Sequence, residues 1–200
     1  FGMLIPLISW KKRSLAWYVI TLVTLAAVGI SIYNVSRIIQ AGAPIHYHMG
    51  GWIPPLGIEY VLDHLSAFVM LVINSAALLV LIHGKKPVNL EVTGKEMPYY
   101  SLVSLMLAGF NGIVVTGDMF NLYVFLEICS LALYGLIAIG EKPAPVAALR
   151  YLFMGTIAAT FYLTGGGFRY ITGGSLNMAD IKAILPHIHG NPMSNQVDDH

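Results

Sequence analysis

The sequence predicts an all-α fold, a polytopic transmembrane helical bundle. Hydrophobic residues make up 56% of the 200 residues and charged residues only 10%, whereas a soluble domain carries about 25% charged residues. The mean hydropathy is +0.71. The apolar residues collect in stretches of about 20, the length that a helix needs to cross the hydrocarbon core of a bilayer. Only helices or a closed barrel satisfy the backbone hydrogen bonds there.

Five full spans are predicted, together with the tail of an earlier one. The full spans are Leu15–Gln40, Ile58–His83, Tyr99–Thr116, Met119–Ile139 and Val146–Phe168, and the tail is Phe1–Trp10. Glycine, proline and charged residues separate the spans, as in Gly84-Lys85-Lys86-Pro87 and Glu141-Lys142-Pro143. The chain starts at Phe1 rather than at a methionine and ends in the polar stretch Asn191–His200. We therefore expect both ends to be truncated.

Two regions follow from this pattern. Residues 1–168 are predicted to form the transmembrane helix bundle, and residues 169–200 an extracytoplasmic loop. Within the loop, Asn177–Leu185 is too short and too polar to span a bilayer. We expect it to lie at the interface as a short amphipathic helix.

Lysine and arginine are distributed unequally between alternate connections. One side receives Lys11, Lys12, Arg13, Lys85, Lys86, Lys95 and Lys142, with Arg150 close by. The other side has Arg37, Arg169 and Lys182, and its long loop Ala41–Gly57 contains no Lys or Arg. Because cytoplasmic loops are enriched in these residues, the first side is predicted to be cytoplasmic.

Composition also excludes several function classes. The net charge of +1 shows no basic excess for nucleic acid, so the expected partners are lipid and other membrane proteins. The single cysteine, Cys129, excludes an internal disulfide and is interpreted as a small buried residue. The His-x-His pairs His46/His48 and His187/His189 lack a third ligand of suitable spacing and are interpreted as surface or interfacial histidines. No motif for a redox cofactor or a phosphate is present, and no cofactor or metal is predicted.

Glu127 is the residue with the strongest functional signal. It lies about eight positions, or roughly 12 Å, inside a hydrophobic span. An ionisable group at that depth is costly unless it faces the bundle interior, and such residues are functional candidates. Burial favours the neutral form and a nearby cation favours the charged form, so a movable cation makes a buried glutamate a switchable proton site. The structural alternative is a protonated glutamate that ties two helices together by hydrogen bonds.

Hydroxyl groups are predicted to share the face of Glu127. Tyr123, Ser130 and Tyr134 lie at i−4, i+3 and i+7, which indicates a wet or protein-facing seam. The second span repeats a polar stripe with Glu59, Asp63, Ser66, Met70 and Asn74, and Asp63 is predicted to lie within or near the membrane. In the third span, Ser101, Ser104, Ala108 and Asn111 are interpreted first as a helix-packing face.

Arg150 is the remaining candidate. It lies near the cytoplasmic end of the fifth span, where a functional role and simple snorkelling to water are both open.

The stretch Gly117-Asp118-Met119-Phe120-Asn121-Leu122-Tyr123-Val124-Phe125-Leu126-Glu127 resembles the antiporter-like subunits shared by Mrp-type sodium/proton antiporters and complex I-type enzymes. Gly50-Gly51-Trp52 with Asp63-His64-Leu65-Ser66-Ala67, and Gly173-Gly174-Ser175-Leu176-Asn177-Met178-Ala179-Asp180, look like the MrpD-type subunit of the Mrp complex in particular. The resemblance covers nearly all of the chain, and the stretch that ends at Glu127 is its most specific part.

The resemblance implies a proton-translocating subunit in a multi-subunit complex of the inner (plasma) membrane. The glutamate that matches Glu127 is implied to pair with a lysine on a later helix, and protons then move along a hydrated chain of polar groups. Arg150, beside Tyr151, matches a basic residue commonly found at that point of the family. The chain stops before the implied lysine, and nothing in the sequence explains Arg169.

The sequence leaves three functions open. The first is a subunit of an Mrp-type antiporter that exchanges protons for sodium or another monovalent cation. The second is a proton-pumping subunit of a complex I-like NADH-quinone oxidoreductase or a membrane-bound hydrogenase. The third is a non-transporting scaffold, in which Glu127 only holds helices together.

The charge asymmetry makes a topological prediction. Lys85 and Lys86 are expected to face the cytoplasm and Trp52 the opposite side. In intact cells, an impermeant thiol reagent added outside is expected to label a Trp52→Cys variant and to leave a Lys85→Cys variant unlabelled. The reverse pattern would show that the topology is inverted.

Overall fold

The computed structural model describes residues 14–52, 57–92, 94–140 and 143–189. Five of its helices are long and apolar enough to cross a membrane: α1 (Ser14–Ala41), α2 (His64–Glu91), α3 (Glu96–Val115), α4 (Met119–Ala138) and α5 (Ala144–Gly173). A shorter helix, α6 (Met178–His189), follows them. The predicted all-α bundle with five spans is thereby confirmed. The predictions for Phe1–Trp10, Lys11 to Arg13, Glu141-Lys142 and Asn191–His200 fall outside the described residues.

The helices pack mainly on their neighbours in sequence, α1 on α2, α2 on α3, α3 on α4 and α4 on α5. A buried core of Ala16, Ile20, Leu81, Val88 and Tyr100 joins α1, α2 and α3 near one end of the bundle. At the same end, Lys95 Nζ donates a hydrogen bond to the Ile139 carbonyl at 3.0 Å. This contact links the α2–α3 connection to the end of α4.

Glycines allow α3 and α4 to approach closely. A Cβ atom built on Gly109 would collide with Cys129 Sγ, and one on Gly112 would collide with the ring of Phe125. Close approach through small residues is how membrane helices gain van der Waals contact without a hydrophobic driving force. Cys129 is buried in this contact, as the sequence predicts.

The prediction that the second span begins at Ile58 is wrong, because α2 begins at His64. Asp63 is its N-cap: the carboxylate accepts a hydrogen bond from the Ser66 amide at 2.7 Å, and the Asp63 amide donates one to Ser66 Oγ at 2.8 Å. Asp63 therefore does not share a helical face with Ser66 and Asn74, and Glu59 lies on a strand. A side-chain cap of this kind ends the extended segment and starts the helix.

The prediction of a loop at Gly84-Lys85-Lys86-Pro87 is also wrong, because α2 continues to Glu91. With 28 residues, α2 is about 42 Å long, more than the roughly 30 Å of hydrocarbon. Its last turns therefore reach the interface, where water can satisfy the carbonyl group that Pro87 leaves free. Lys85 folds back there, with Nζ 3.9 Å from the ring centroid of Trp17 and 4.5 Å from that of Tyr18.

The fifth helix is longer than the predicted span Val146–Phe168. It runs from Ala144 to Gly173 and contains Arg169. Gly174, with φ of +68°, ends it in the left-handed conformation, which a glycine adopts at little cost.

An amide pair joins three helices inside the bundle. Asn74 on α2 and Asn111 on α3 exchange reciprocal side-chain hydrogen bonds of 2.9 and 3.0 Å. The Asn74 amide also donates to Ser31 Oγ on α1 at 2.9 Å. Asn74 is 2% exposed and Ser31 is fully buried. Asn111 lies on the stripe that the sequence assigned to helix packing, and Asn74 lies on the polar stripe of the second span.

The long connection between α1 and α2 contains a hairpin that the sequence did not predict. Strand β1 (Ile45–His48) pairs antiparallel with β2 (Glu59–Leu62), and a turn of 3-10 helix, Met49–Gly51, follows β1. Backbone contacts extend the hairpin to the loops at the same end of the bundle: the Gly117 amide donates to the Glu59 carbonyl at 2.9 Å, and the Met178 amide to the Gly117 carbonyl at 2.8 Å.

The buried Glu59 carboxylate bonds to both the hairpin and one of these loops, and this group of contacts is the Glu59 junction. Glu59 is 6% exposed. Its Oε1 lies 2.8 Å from His46 Nδ1 and 3.9 Å from His48 Nδ1, and its Oε2 accepts from Asn177 Nδ2 at 2.6 Å. The histidines are therefore partners of a buried carboxylate as well as surface groups. One carboxylate thus connects the hairpin to the loop that precedes α6.

The amide pair generates a stability prediction. Asn74→Ala and Asn111→Ala are each expected to lower the free energy of unfolding by about 1–2 kcal/mol, because each leaves a polar partner unpaired. The double variant is expected to show a coupling of about 1 kcal/mol. Ser36→Ala is the matched control, because Ser36 donates only to the Ile32 carbonyl of its own helix. Additive effects in a double-mutant cycle of the membrane-embedded protein would contradict the pairing.

The Glu59 junction generates a pH prediction. Burial raises the pKa of Glu59, but hydrogen bonds from Asn177 and His46 and the charges of His46 and His48 outweigh it and hold the pKa below its ordinary value of 4.5. A lowered pKa contributes stability that is present above pH 4.5 and is lost as the pH falls through the lowered value. Hydrogen exchange of the hairpin and of residues 175–178, corrected for intrinsic rates, is expected to accelerate in that acid range. Glu59→Gln is expected to raise exchange at neutral pH and to flatten the acid dependence; a wild-type profile for this variant would contradict the junction.

Candidate functional site

Glu127 lies on α4, eight residues after the first residue of the helix, Met119. This position is about 12 Å along the helix axis from the start of α4. The side chain is half-buried, and no hydrogen bond or ion pair within the described residues reaches its carboxylate. A carboxyl group among apolar residues and without a fixed partner is free to change its protonation state when a partner approaches.

The two faces of α4 have different neighbours. Phe125 and Cys129 pack against the glycines of α3, whereas Tyr123 and Tyr134 pack against α5. Glu127 is four residues after Tyr123 and seven before Tyr134, so it lies on the α5 side of the helix.

Tyrosine contacts join α4 and α5 at both ends of the interface between these two helices, the α4–α5 seam. The ring of Tyr123 stacks on that of Tyr162 of α5, with centroids 6.1 Å apart and planes inclined by 16°. The Tyr162 hydroxyl donates to the Met119 carbonyl at 3.1 Å. At the other end, the Tyr134 hydroxyl lies directly against Gly155, where a Cβ would collide with it.

The face of α5 that lies opposite Glu127 carries small residues. The half-buried positions along this helix include Gly155, Ala159, Tyr162 and Gly166, spaced by four, three and four. Since Tyr162 meets Tyr123 and Gly155 meets Tyr134, the position level with Glu127 is Ala159. The α5 side chain at the level of the carboxylate is therefore a single methyl group.

The other predicted site residues fall into two groups. Tyr123 and Tyr134 contact α5, and Ser130 is half-buried on the same stripe as Glu127. Asp63 caps α2, far along the chain from the seam, and lines a cleft of about 570 Å³ beside the hairpin together with His46, Glu59 and Lys182. Arg150 is exposed on α5, and no ion pair within the described residues joins it to Glu127.

Two features of this site lie outside the sequence predictions. Tyr162 has no polar neighbour three or four residues away that would mark it, and its role is visible only from the stack with Tyr123. Ala159 is likewise unmarked, because a small residue in a span is ordinary in composition. As for metals, no group of three or more His, Cys, Asp or Glu in the described ranges is arranged to hold an ion.

No family model matches the chain, but individual relatives do. The N subunit of the NADH-quinone oxidoreductase of Desulforudis audaxviator is 41% identical over 169 residues, which are 84% of this chain and 34% of the relative. The D subunit of a probable K(+)/H(+) antiporter of Rhizobium meliloti is 38% identical and covers 70% of this chain and 25% of its own length. The D subunit of the Na(+)/H(+) antiporter of Bacillus subtilis is 35% identical, covering 67% of this chain and 27% of its own length.

The fold has a counterpart in a solved structure. A chain of the membrane-bound sulfane sulfur reductase, an archaeal respiratory membrane complex, superimposes with a TM-score of 0.86 at 31% identity, over 94% of this chain and 38% of that chain. The present chain thus spans between 25% and 38% of the length of these proteins. The chain is homologous in sequence to these subunits of cation/proton antiporters and of an NADH-quinone oxidoreductase, and it shares its fold with the chain of the sulfane sulfur reductase.

Proposed function

We propose that the chain is part of a proton-translocating, antiporter-like subunit of an Mrp-type monovalent cation/proton antiporter, and that Glu127 is its proton site. The observation that carries the proposal is the half-buried Glu127 carboxylate inside an apolar span, without a partner among the described residues. A carboxyl group placed in this way binds a proton while it is isolated and releases it when a cation comes near.

The surroundings of Glu127 support this role. A carboxylate that alternates between charged and neutral forms needs room for water or for a mobile partner, and the α5 residue at its level is the small Ala159. Tyr123 and Tyr134 hold the two helices together on either side of that level. The seam is therefore fixed at its ends and has a small residue at its centre, where the titratable group lies.

The scaffold alternative is less well supported by the contacts. A helix-stapling glutamate needs a hydrogen-bond partner on a neighbouring helix, and Glu127 has none within the part of the chain that the structure describes. The stapling role in this bundle belongs to Asn74, Asn111 and Ser31, whose hydrogen bonds link α1, α2 and α3.

A second candidate is a proton-pumping subunit of a complex I-like enzyme. The 41% identity to a relative named as the N subunit of an NADH-quinone oxidoreductase favours it. In both cases the partners are other subunits of a multi-subunit complex in the inner (plasma) membrane, and the transported ion is H⁺, alone or in exchange for Na⁺ or K⁺. Vesicles holding the assembled complex distinguish the two: proton movement driven by a Na⁺ or K⁺ gradient identifies the antiporter, and movement that requires NADH or another electron donor identifies the pump.

The proton site is tested by substitution in the intact complex. Glu127→Gln is expected to reduce ion translocation at least tenfold while assembly stays nearly normal, because Gln keeps the size and hydrogen bonding of a protonated glutamate but releases no proton. Glu127→Asp is expected to retain more activity than Glu127→Gln. The measurement is a pH-gradient assay in vesicles that hold equal amounts of assembled complex.

Glu91→Gln provides the matched control. It makes the same acid-to-amide change at an exposed position in the last turn of α2, and it is expected to leave the translocation rate unchanged. A wild-type rate for Glu127→Gln would remove Glu127 as the proton site and favour the scaffold alternative, in which an amide serves almost as well as a protonated acid.

A further inference from the structure

A crevice enters the α4–α5 seam from the end of the bundle that carries the hairpin. Its volume is about 230 Å³, and its walls include Met119, Leu176, Gly166 and Tyr170. Tyr123 and Tyr162 also line it. Among the residues that line the crevice, these two tyrosines are the nearest to Glu127 along their helices. The crevice therefore ends at their stacked rings.

The stack lies between the crevice and Glu127. Tyr123 is one turn of α4 before Glu127, a distance of about 6 Å along the axis. Tyr162 is three residues after Ala159 on the antiparallel helix. A water molecule that follows the seam from the hairpin end therefore meets two parallel aromatic rings before it reaches the carboxylate.

Two contacts fix the orientation of the Tyr162 side chain, so the stacked rings keep their place between the crevice and Glu127. Its hydroxyl donates to the Met119 carbonyl at 3.1 Å, and its ring lies flat against Tyr123. Gly166 lies one turn of α5 closer to the hairpin end, and it has no side chain that could take the place of either ring.

We propose that Tyr162 is a positioning residue that closes the seam on the hairpin side, so that Glu127 exchanges protons only with the opposite side or with the rest of the subunit. The barrier itself rests on the geometry of the seam, and its consequence for protons rests on the proposed role of Glu127. One-sided access is necessary for coupled transport, because a carboxyl group in contact with both aqueous phases would let protons run down their gradient.

The barrier is tested by the accessibility of position 127 in the assembled complex. The parent carries Glu127→Cys with Cys129→Ala, and the probe is an impermeant methanethiosulfonate added from the hairpin side. Tyr162→Ala and Tyr162→Leu are each expected to raise the labelling rate at least tenfold, because neither residue can stack on Tyr123. Tyr162→Phe keeps the ring and is expected to stay within about twofold of the parent.

Tyr170→Ala is the matched control, because it removes an aromatic ring from the same crevice two turns further out. It is expected to leave labelling at the parent rate. Unchanged labelling in Tyr162→Ala or Tyr162→Leu, or an equal rise in Tyr170→Ala, would overturn the barrier. Two independent substitutions at position 162 guard against a variant that fails to assemble.

Passive proton conductance is a second measurement, and it tests the barrier and the proton site separately. With Glu127 intact, Tyr162→Ala is expected to raise passive proton conductance several-fold, and adding Glu127→Gln is expected to abolish that leak. Increased labelling without a leak would leave the barrier standing and remove the proton site. A leak that persists after Glu127→Gln would show that the opened route bypasses Glu127 and would overturn the proposal that Tyr162 guards it.

Discussion

Hydrocarbon offers no hydrogen bonds, and this constraint governs where every polar side chain of the bundle lies. Several Ser and Thr hydroxyl groups inside the spans bond to the carbonyl four residues earlier in their own helix, as Thr24, Ser101, Thr156 and Thr160 do. The amides of Asn74 and Asn111 satisfy each other across two helices. The buried hydroxyls of Thr21 and Tyr100 have no partner among the described residues, and Glu127 is a further exception, a carboxyl group deep in a span with no bond among those residues. An exception of this kind is costly in a membrane and is kept where its chemistry is used.

Outside the hydrocarbon a different principle applies, since a single buried carboxylate organises several loops. Glu59 contacts His46 on one strand and Asn177 in the loop before α6, and its own carbonyl accepts from Gly117. Asp118, the next residue, caps α4 by accepting from the Asn121 amide at 2.8 Å. The start of α4, and with it the depth of Glu127, is therefore fixed by contacts that involve three separate segments of the chain. The motif that ends at Glu127 and the motif Gly173–Asp180 thus meet at Glu59, through Gly117 and Asn177.

The spans could be predicted from the sequence because length and hydropathy are local properties. Helices α1, α3 and α4 begin and end within three residues of the predicted bounds. The errors have physical causes that composition does not carry: a capping side chain at Asp63 moves the start of α2, and Lys85, which folds back onto Trp17 and Tyr18, lets its end continue past Gly84. The hairpin was missed because the contacts that hold it include the distant residues Gly117 and Asn177. In the seam, helical spacing predicted the face that Tyr123, Glu127 and Tyr134 share, but not Tyr162, which only the packing of α5 reveals.

The reciprocal amide pair also determines how α2 and α3 are aligned. Van der Waals contact between two apolar helices changes little when one slides past the other by a turn, about 5.4 Å, so such contacts define an axial position poorly. Two asparagines that face each other are self-complementary at one alignment, and sliding would strand both amides in lipid. A buried polar group that selects one arrangement among several of similar packing energy acts as a register mark. In this bundle, Asn74 and Asn111 fix the axial position of α3 relative to α2. Because α4 packs against α3, they also help to set the depth of the groups on α4.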